Sequence, residues 1–484
     1  MLQYPYYSPS FSWNNVYGTT NVELITATDF SGSPSVSTIT GVTFSAGDIW
    51  GLAYDGNTGK VWLRHNGTWL NSGDPASGTG NVTTLSTDYD YHYAALLNMT
   101  GSGNSVVLNA GQNGTFNNTK TAQGNSDGNS IGDFYYSVPT GFLALCTANL
   151  PEPTIGPNSD TTSDENFNTV LYTGTGSSQS ITGVGFQPDF LWIKRRSANE
   201  YHWMVDVLRT LPTGFNPPAL TERSDITDAV TSFDSDGFTA GGGSGYTGAS
   251  GNTYVAWNWK AGGSGVSNTD GSITSTVSAN QDAGISIVRY AGTGASMTFG
   301  HGLGQPVDFM IVHRANDNWI VYPFSATGNL TNYLFMENTN AYASDSVCHT
   351  NNSTVIGFNA SGARNTLGFN YMAYCFAGVE GFSKFGSWTG ASGSEFIYTG
   401  FRPAFVLVKR TNISGWYIFD NKRGYNGGIY SLQPNTTGTE GGPWATQFNL
   451  YSNGFEDNGF VGDAGTTIIY MAFAETPFKY SNAR

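Results

Sequence analysis

The residues that could do chemistry are few, and their spacing decides what they can do. Glycan cleavage needs two carboxylates facing each other across about 5–10 Å. A strand reading Glu-x-Asp-x-x-Glu would put alternate carboxylates on one face, and no such segment occurs. Glu222-Arg-Ser-Asp225 and Asp228 fall in a stretch that reads as a solvated loop. No Gly-x-Ser-x-Gly elbow joins a strand to a helix, and Gly241-Gly-Gly-Ser-Gly245 reads as a flexible loop. The six histidines (His65, His92, His202, His301, His313, His349) form no HxH or HxxxH pair, which disfavours zinc. Asp234-Ser-Asp-Gly237 has the opening of a calcium loop, but the bidentate Glu at position 12 is missing, so a hairpin turn is the better reading. These patterns predict no catalytic residue, no metal site and no cofactor.

Two patterns point to binding or packing instead. Lys194-Arg195, His313-Arg314 and Lys409-Arg410 end equivalent strands, and Asp206-x-x-Arg209 recurs as Asp420-x-x-Arg423. Structural ion pairs or strand-end charges are the first reading, and a recurrent anion site is the sharper alternative. Trp203, Trp319 and Trp416 follow the basic pairs at nearly fixed spacing, which argues for core packing. Trp69 lies instead in the Gly/Asn/Asp loop Asn66–Asp74. Loops on a rigid sandwich commonly carry recognition, so Trp69, Asn71 and Asp74 are the candidate ligand contacts.

The elements that hold these residues come in three copies. Gly185-Phe-Gln-Pro-Asp-Phe-Leu-Trp-Ile-Lys-Arg195 returns as Gly304–Arg314 and again as Gly400–Arg410. A second block follows each copy: Phe233–Phe238, Thr354–Phe358 and Tyr451–Phe455. A third closes each: Tyr254-Val-Ala-Trp257, Tyr371-Met-Ala-Tyr374 and Tyr470-Met-Ala-Phe473. From the proline to the glycine of the second block the steps are 49, 51 and 51 residues. Ordered blocks at near-constant spacing mark an internal repeat. The predicted units are 167–265, 283–386 and 387–484, with a Gly/Ser-rich join at Gly262–Gly271 and a short one near Gly386–Gly393. The tetrads Phe190–Ile193, Phe309–Val312 and Phe405–Val408 do not alternate, as in strands covered on both faces. No segment shows a sustained helical period.

Residues 1–150 form a separate first region. Trp50–Tyr54 and Lys60–Leu63 read as a hairpin around Asp55–Gly59, and Tyr93–Leu97 with Ser105–Leu108 as another pair. Phe142–Leu145 ends the unit, and the polar, proline-containing stretch 151–166 reads as a linker. Composition fits many short strands: charged residues are 11%, aromatics 14%, and Gly numbers 63. The net charge of −15 argues against general nucleic-acid binding. No apolar run approaches the 18 residues of a membrane span, and no signal peptide is visible. Cys146, Cys348 and Cys375 are odd in number and read as small buried thiols.

The segments Ile49–Leu63, Gly67–Thr79, Val107–Gln112 and Pro139–Pro151 resemble the SPRY-like, concanavalin-type sandwich of bacteriophage virion proteins. Residues 1–40 do not match that sandwich's opening strands. The remainder is similar to the tandem β-domains that follow it in phage tail-fibre-like proteins. The expected fold is therefore all-β: one SPRY-like sandwich and three related antiparallel β-sandwich repeats. The resemblance implies a virion structural protein, a tail fibre or appendage, assembled in the host cytoplasm. It would contact the host surface, a glycan or a protein, through loops, and pack against other virion proteins as a homo-oligomer, plausibly a trimer. The alternative is a purely structural capsid or tail decoration, and a remote third is a glycan depolymerase.

Overall fold

In a computed structural model of the chain, the described residues are 10–15, 21–27, 35–43, 45–85, 107–149, 154–156, 159–211, 213–217, 221–223, 226, 228–360, 362–391, 393–424, 428–444 and 447–476. They divide into two units, Met1–Pro151 and Glu152–Arg484. The fold is all-β, in antiparallel sheets, with a single four-residue α-turn among the described residues.

In the first unit β1 (Ser10–Asn15), β2 (Asn21–Ala27) and β3 (Ser35–Thr40) form an antiparallel sheet, although this stretch carries no resemblance to a sandwich's opening strands. The expected hairpin is present: β4 (Trp50–Tyr54) pairs with β5 (Lys60–His65), which also pairs with β6 (Thr68–Trp69) and β7 (Thr83–Thr84). Asp55 closes its turn, accepting from the Asn57 N–H at 3.0 Å. Residues 93–97 and 105–106 of the second expected pair, and His92, lie outside the described residues. Phe142–Leu145 joins no sheet.

The second unit repeats one seven-strand plan three times. The first module has β8 (Phe167–Thr173), β9 (Gln179–Ile181), β10 (Phe190–Arg195), β11 (Trp203–Asp206), β12 (Gly214–Asn216), β13 (Thr221–Arg223), β14 (Val230–Asp234), β15 (Gly237–Ala240) and β16 (Thr253–Trp259). The second has β17 (Val266–Asn268), β18 (Ser275–Asn280), β19 (Ile285–Ala291), β20 (Met297–Gly300), β21 (Phe309–His313), β22 (Ile320–Tyr322), α1 (Phe324–Thr327), β23 (Asn332–Phe335), β24 (Ala343–Ser344), β25 (Cys348–Asn351), β26 (Val355–Phe358) and β27 (Asn370–Phe376). The third has β28 (Ser383–Thr389), β29 (Ser394–Tyr398), β30 (Arg402–Arg410), β31 (Trp416–Asp420), β32 (Phe448–Tyr451), β33 (Gly454–Asn458) and β34 (Thr467–Thr476). The large sheets run β11-β10-β16-β8, β22-β21-β27-β19 and β31-β30-β34-β28; the small ones run β14-β15-β9, β25-β26-β20 and β32-β33-β29. The first two large sheets carry extra edge strands.

Each large sheet is buried on both faces, which is why the tetrads do not alternate. Leu191 and Ile193 face the first module's own sandwich core, with Val205 and Tyr254. Phe190 and Trp192 face a second core that all three modules share, built with Phe309, Ile311, Phe405, Leu407 and Phe473. Phe167 of the first module packs its ring 5.7 Å from Phe405 and 5.3 Å from Phe473 of the third. Trp259 lies 6.5 Å from Phe376 of the second. The three sandwiches are therefore lobes around one hydrophobic centre.

Several boundaries move. The join at Gly262–Gly271 contains strand β17, and β28 crosses the expected boundary between residues 386 and 387. Within 151–166, Ile155 is fully buried in the shared core, and Thr162 caps the turn Ser163–Glu165, so this stretch is not simply a linker. Glu222, expected in a loop, lies in the short strand β13.

Strand register also corrects the repeat alignment. Phe238 and Phe455 pair with Ile181 and Ile397, but in the second module Phe299 pairs with Ile356, not Phe358. In the third, Phe405 pairs with Phe473 as Phe190 pairs with Trp259, so Met471 is the counterpart of Trp257. Both slips are of two residues, which keeps each side chain on the same face. The tryptophans slip by one. Lys409 and Val312 pair with Trp416 and Ile320, whereas Ile193 pairs with Trp203, so His202 rather than Trp203 corresponds to Trp319 and Trp416. Trp203 accordingly points into the first module's own core, while the other two point into the shared one.

Candidate functional site

The turn that follows Trp69 and holds Asn71 and Asp74 is tightly built. Asn71 adopts the left-handed conformation at φ 55° and donates its Nδ2 to the Asn81 carbonyl at 3.1 Å. Asp74 and Thr79 exchange backbone hydrogen bonds at 2.9 and 3.1 Å. A Cβ on Gly80 would stand 2.6 Å from the Ser72 carbonyl, so glycine is required there. Trp69 is half-buried, 4.8 Å from the Arg64 guanidinium, which also lies 4.9 Å over Tyr136. Trp69, expected in the loop, instead ends strand β6 opposite Arg64, and Asn71 and Asp74 in the turn after it use polar groups to hold that turn. Beside it His65 contacts Asp48 at 2.9 Å. The Asp48 carboxyl is held below its usual range: burial, which would raise it, is outweighed by hydrogen bonds from Asn66, His65 and the Ser45 N–H.

The recurrent basic residues serve the scaffold. Lys194 and Lys409 are fully buried and donate to backbone carbonyls: Lys194 to Arg195 and Thr437, Lys409 to Arg410 and Asn412. Burial pulls both ammonium groups down to about 8. Burial also holds His313 neutral, stacked 4.0 Å from Trp319. Arg195 reaches Asn252, Arg196 pairs with Glu440, and Arg410 pairs with Asp463.

The acid–arginine pairs tie modules together. Asp206 takes hydrogen bonds from Arg209 Nε and from the Tyr374 hydroxyl of the second module, both at 2.8 Å. Asp420 takes them from Arg423 Nε at 2.6 Å and from Trp257 Nε1 of the first module at 2.9 Å. Register places Pro323 where Asp206 and Asp420 stand, and Met471 where Tyr374 and Trp257 stand. The remaining junction thus lacks acceptor and donor together, and α1 meets β28 there through Ser387 Oγ and the Ala326 carbonyl, 3.2 Å apart.

Asp234 and Asp236 brace the β14–β15 hairpin, as a turn should. Asp236 accepts from the N–H groups of Gly183 and Gly185 at 3.1 and 2.7 Å. Cys348 and Cys375 are buried and Cys146 half-buried. Among the described residues no group of three or more His, Cys, Asp or Glu could hold a metal.

One surface was not found from the sequence. On the outer face of the third module's small sheet, Phe396, Tyr398 and Tyr451 are 49%, 57% and 37% exposed. The Phe396 and Tyr451 rings lie 6.0 Å apart, and Lys384 Nζ sits 5.1 Å from the Tyr398 ring. Glu456 lies among them, accepting from Ser394, from Asn449 at 3.0 Å and from Tyr451 at 2.8 Å. These bonds, Ser394's foremost, hold its carboxyl below the usual range. Register gives the same positions as Ser180, Thr182 and Asp234 in the first module and Thr298, Gly300 and Asn352 in the second. The run Ser394-Glu-Phe-Ile-Tyr398 does not alternate in polarity, and only the register reveals the contrast between modules.

Residues 162–477 match the family model described as Domain of unknown function (DUF7483). The chain belongs to this family. The matched span encloses all three modules, so the DUF7483 region coincides with the body built around the shared core. No curated protein and no solved structure matches the chain. Among the described residues no helix is long and apolar enough to cross a membrane.

Proposed function

We infer that this chain is a non-enzymatic virion protein of a bacteriophage, a fibre or appendage component that meets the host surface. The observation that carries the recognition role is the exposed aromatic face of Phe396, Tyr398 and Tyr451, which two sister modules of the same fold lack. A fold needs its buried positions repeated; it does not need aromatic rings in water, and exposed aromatic groups mark contact surfaces. Rings beside a carboxylate that accepts hydrogen bonds suit a glycan, whose C–H faces stack and whose hydroxyls donate. The link to a phage particle rests on the resemblance of residues 49–151 to virion sandwiches. The reading as a capsid or tail decoration draws on a different feature, the exposed Leu108, Leu143 and Leu145 of the first unit, which suit a neighbouring protein.

Adsorption of the purified full chain to host cells tests the recognition role, with competition against phage infection as the second readout. The wild-type chain is expected to adsorb and compete. The triple variant F396A/Y398A/Y451A is expected to keep its fold and lose both effects. Wild-type protein that neither adsorbs nor competes, while antibody labels it on the particle, would replace adhesion by decoration.

A further inference from the structure

A recess of about 260 Å³ opens where the first module meets the second. Arg209, Thr210, Thr213 and Phe215 form one wall, and Arg289 and Asn370 stand in the other. Among the described residues no carboxylate lines it, although the chain carries 35 acidic residues against 20 Lys and Arg.

The two arginines are placed differently. Arg209 is fixed: its guanidinium is paired with the buried Asp206 and lies 3.7 Å over the Phe215 ring. Arg289 follows Ile285 and Ile287 on the face of β19 that builds the shared core, and stands exposed where that core opens to solvent. Among the described residues its guanidinium makes no ion pair or hydrogen bond. Arg289 pairs in register with Met372; the corresponding residues of the sister modules are Leu171, opposite Val255, and Ser387, opposite Ile469. The cation is therefore peculiar to this junction.

We propose that this recess binds a small hydroxylated monocarboxylate, a sugar acid of the uronic type. Asp206 already balances Arg209, so among the described residues Arg289 is the one uncompensated cation of the lining, which fits a monoanion better than a phosphate dianion. A planar guanidinium takes a carboxylate in two parallel hydrogen bonds. Thr210, Thr213 and Asn370 supply neutral partners for ring hydroxyls. The volume lies just below the ~300–1,000 Å³ of drug-sized sites, so it holds about one ring. The assignment rests on the recess alone and is independent of any role on a virion.

The test is titration of the full chain with sodium glucuronate, glucose and inorganic phosphate, read by ligand-observed saturation-transfer NMR. Saturable glucuronate binding is expected, weakened by salt and at least about tenfold tighter than glucose binding, because a charge-assisted pair is lost with glucose. Arg289→Met should weaken glucuronate binding by about tenfold or more and leave the urea midpoint unchanged, since Arg289 is exposed. Ala315→Glu, which adds a carboxylate to the lining, should abolish binding. The proposal is overturned by glucuronate binding no tighter than glucose, by tighter binding of phosphate, or by wild-type affinity in Arg289→Met.

Discussion

Removing the buried Arg423 guanidinium should strongly destabilise the three-module body. Asp420 and Arg423 have side chains that are 0% exposed, and the carboxylate also receives the Trp257 indole N–H of another module. Arg423→Met leaves that carboxylate buried without its cation, at a cost of about 3–5 kcal/mol. Glu440, 12% exposed and 3.2 Å from Arg423 Nη1, loses a partner as well, but water can reach it, so little is added. Replacing both members, Asp420→Asn with Arg423→Met, removes the charges together, keeps an amide oxygen to accept from the Lys422 and Arg423 backbone N–H groups, and leaves the Trp257 N–H without its acceptor, costing about 1–3 kcal/mol. The double variant should therefore be more stable than the single one. Lys422→Met, one residue away but exposed, should change stability by less than about 0.5 kcal/mol. Urea unfolding of the full chain, followed by hydrogen exchange of β16 and β31, measures all three. A cost below about 1 kcal/mol for Arg423→Met, or a double variant less stable than the single, would refute the reasoning.

Other expectations follow from burial. Phe473→Ala should cost about 3–5 kcal/mol and loosen β10 and β27 as much as its own sheet, because the ring lies in the shared core; exchange confined to the third module would count against this. Lys194 and Lys409 titrate near 8 when folded and near 10.4 when unfolded, so the unfolded chain holds more protons between those values and stability should rise with pH across that window. Lys194→Met should flatten the rise in urea midpoint between pH 8 and 10, and an unchanged slope would count against the buried ammonium. Burial pushes the Glu337 carboxyl up to about 7, so the folded chain keeps a proton that the unfolded chain releases near 4.5. Stability should fall as pH rises from about 4.5 to 7, and Glu337→Gln should remove that part of the fall.

Much of the second unit was legible because burial writes itself twice into each repeat. Tetrads such as Phe190-Leu-Trp-Ile193 are apolar at every position because both faces of their sheet are covered, and the sequence carries that directly. What covers the second face was not legible: a sandwich in isolation and a sandwich packed on two sisters demand similar residues at Phe190 and Trp192. Register was only half legible. Slips of two residues, at Phe358 and Phe473, preserve the inward and outward faces, so composition at those positions barely changes. The one-residue slip at Trp203 moved an indole from one core to another without altering its burial. The Asp-x-x-Arg motifs were read as structural ion pairs, but their partners Tyr374 and Trp257 lie more than 160 residues away. The exposed ring of Tyr398 was missed because an aromatic in a strand reads as core until its face is known. Likewise Arg289 stands on a strand whose other residues, Ser286 apart, are apolar or aromatic, and only the junction gives it meaning.

The decisive measurement is native-state hydrogen exchange of the central strands β10, β21 and β30 in the full chain. If the three modules share one core, the slowest amides of all three strands should exchange through the same opening, with free energies agreeing within about 1 kcal/mol and falling together in Phe473→Ala. Three separate opening energies, with only β30 responding to that substitution, would contradict a single body.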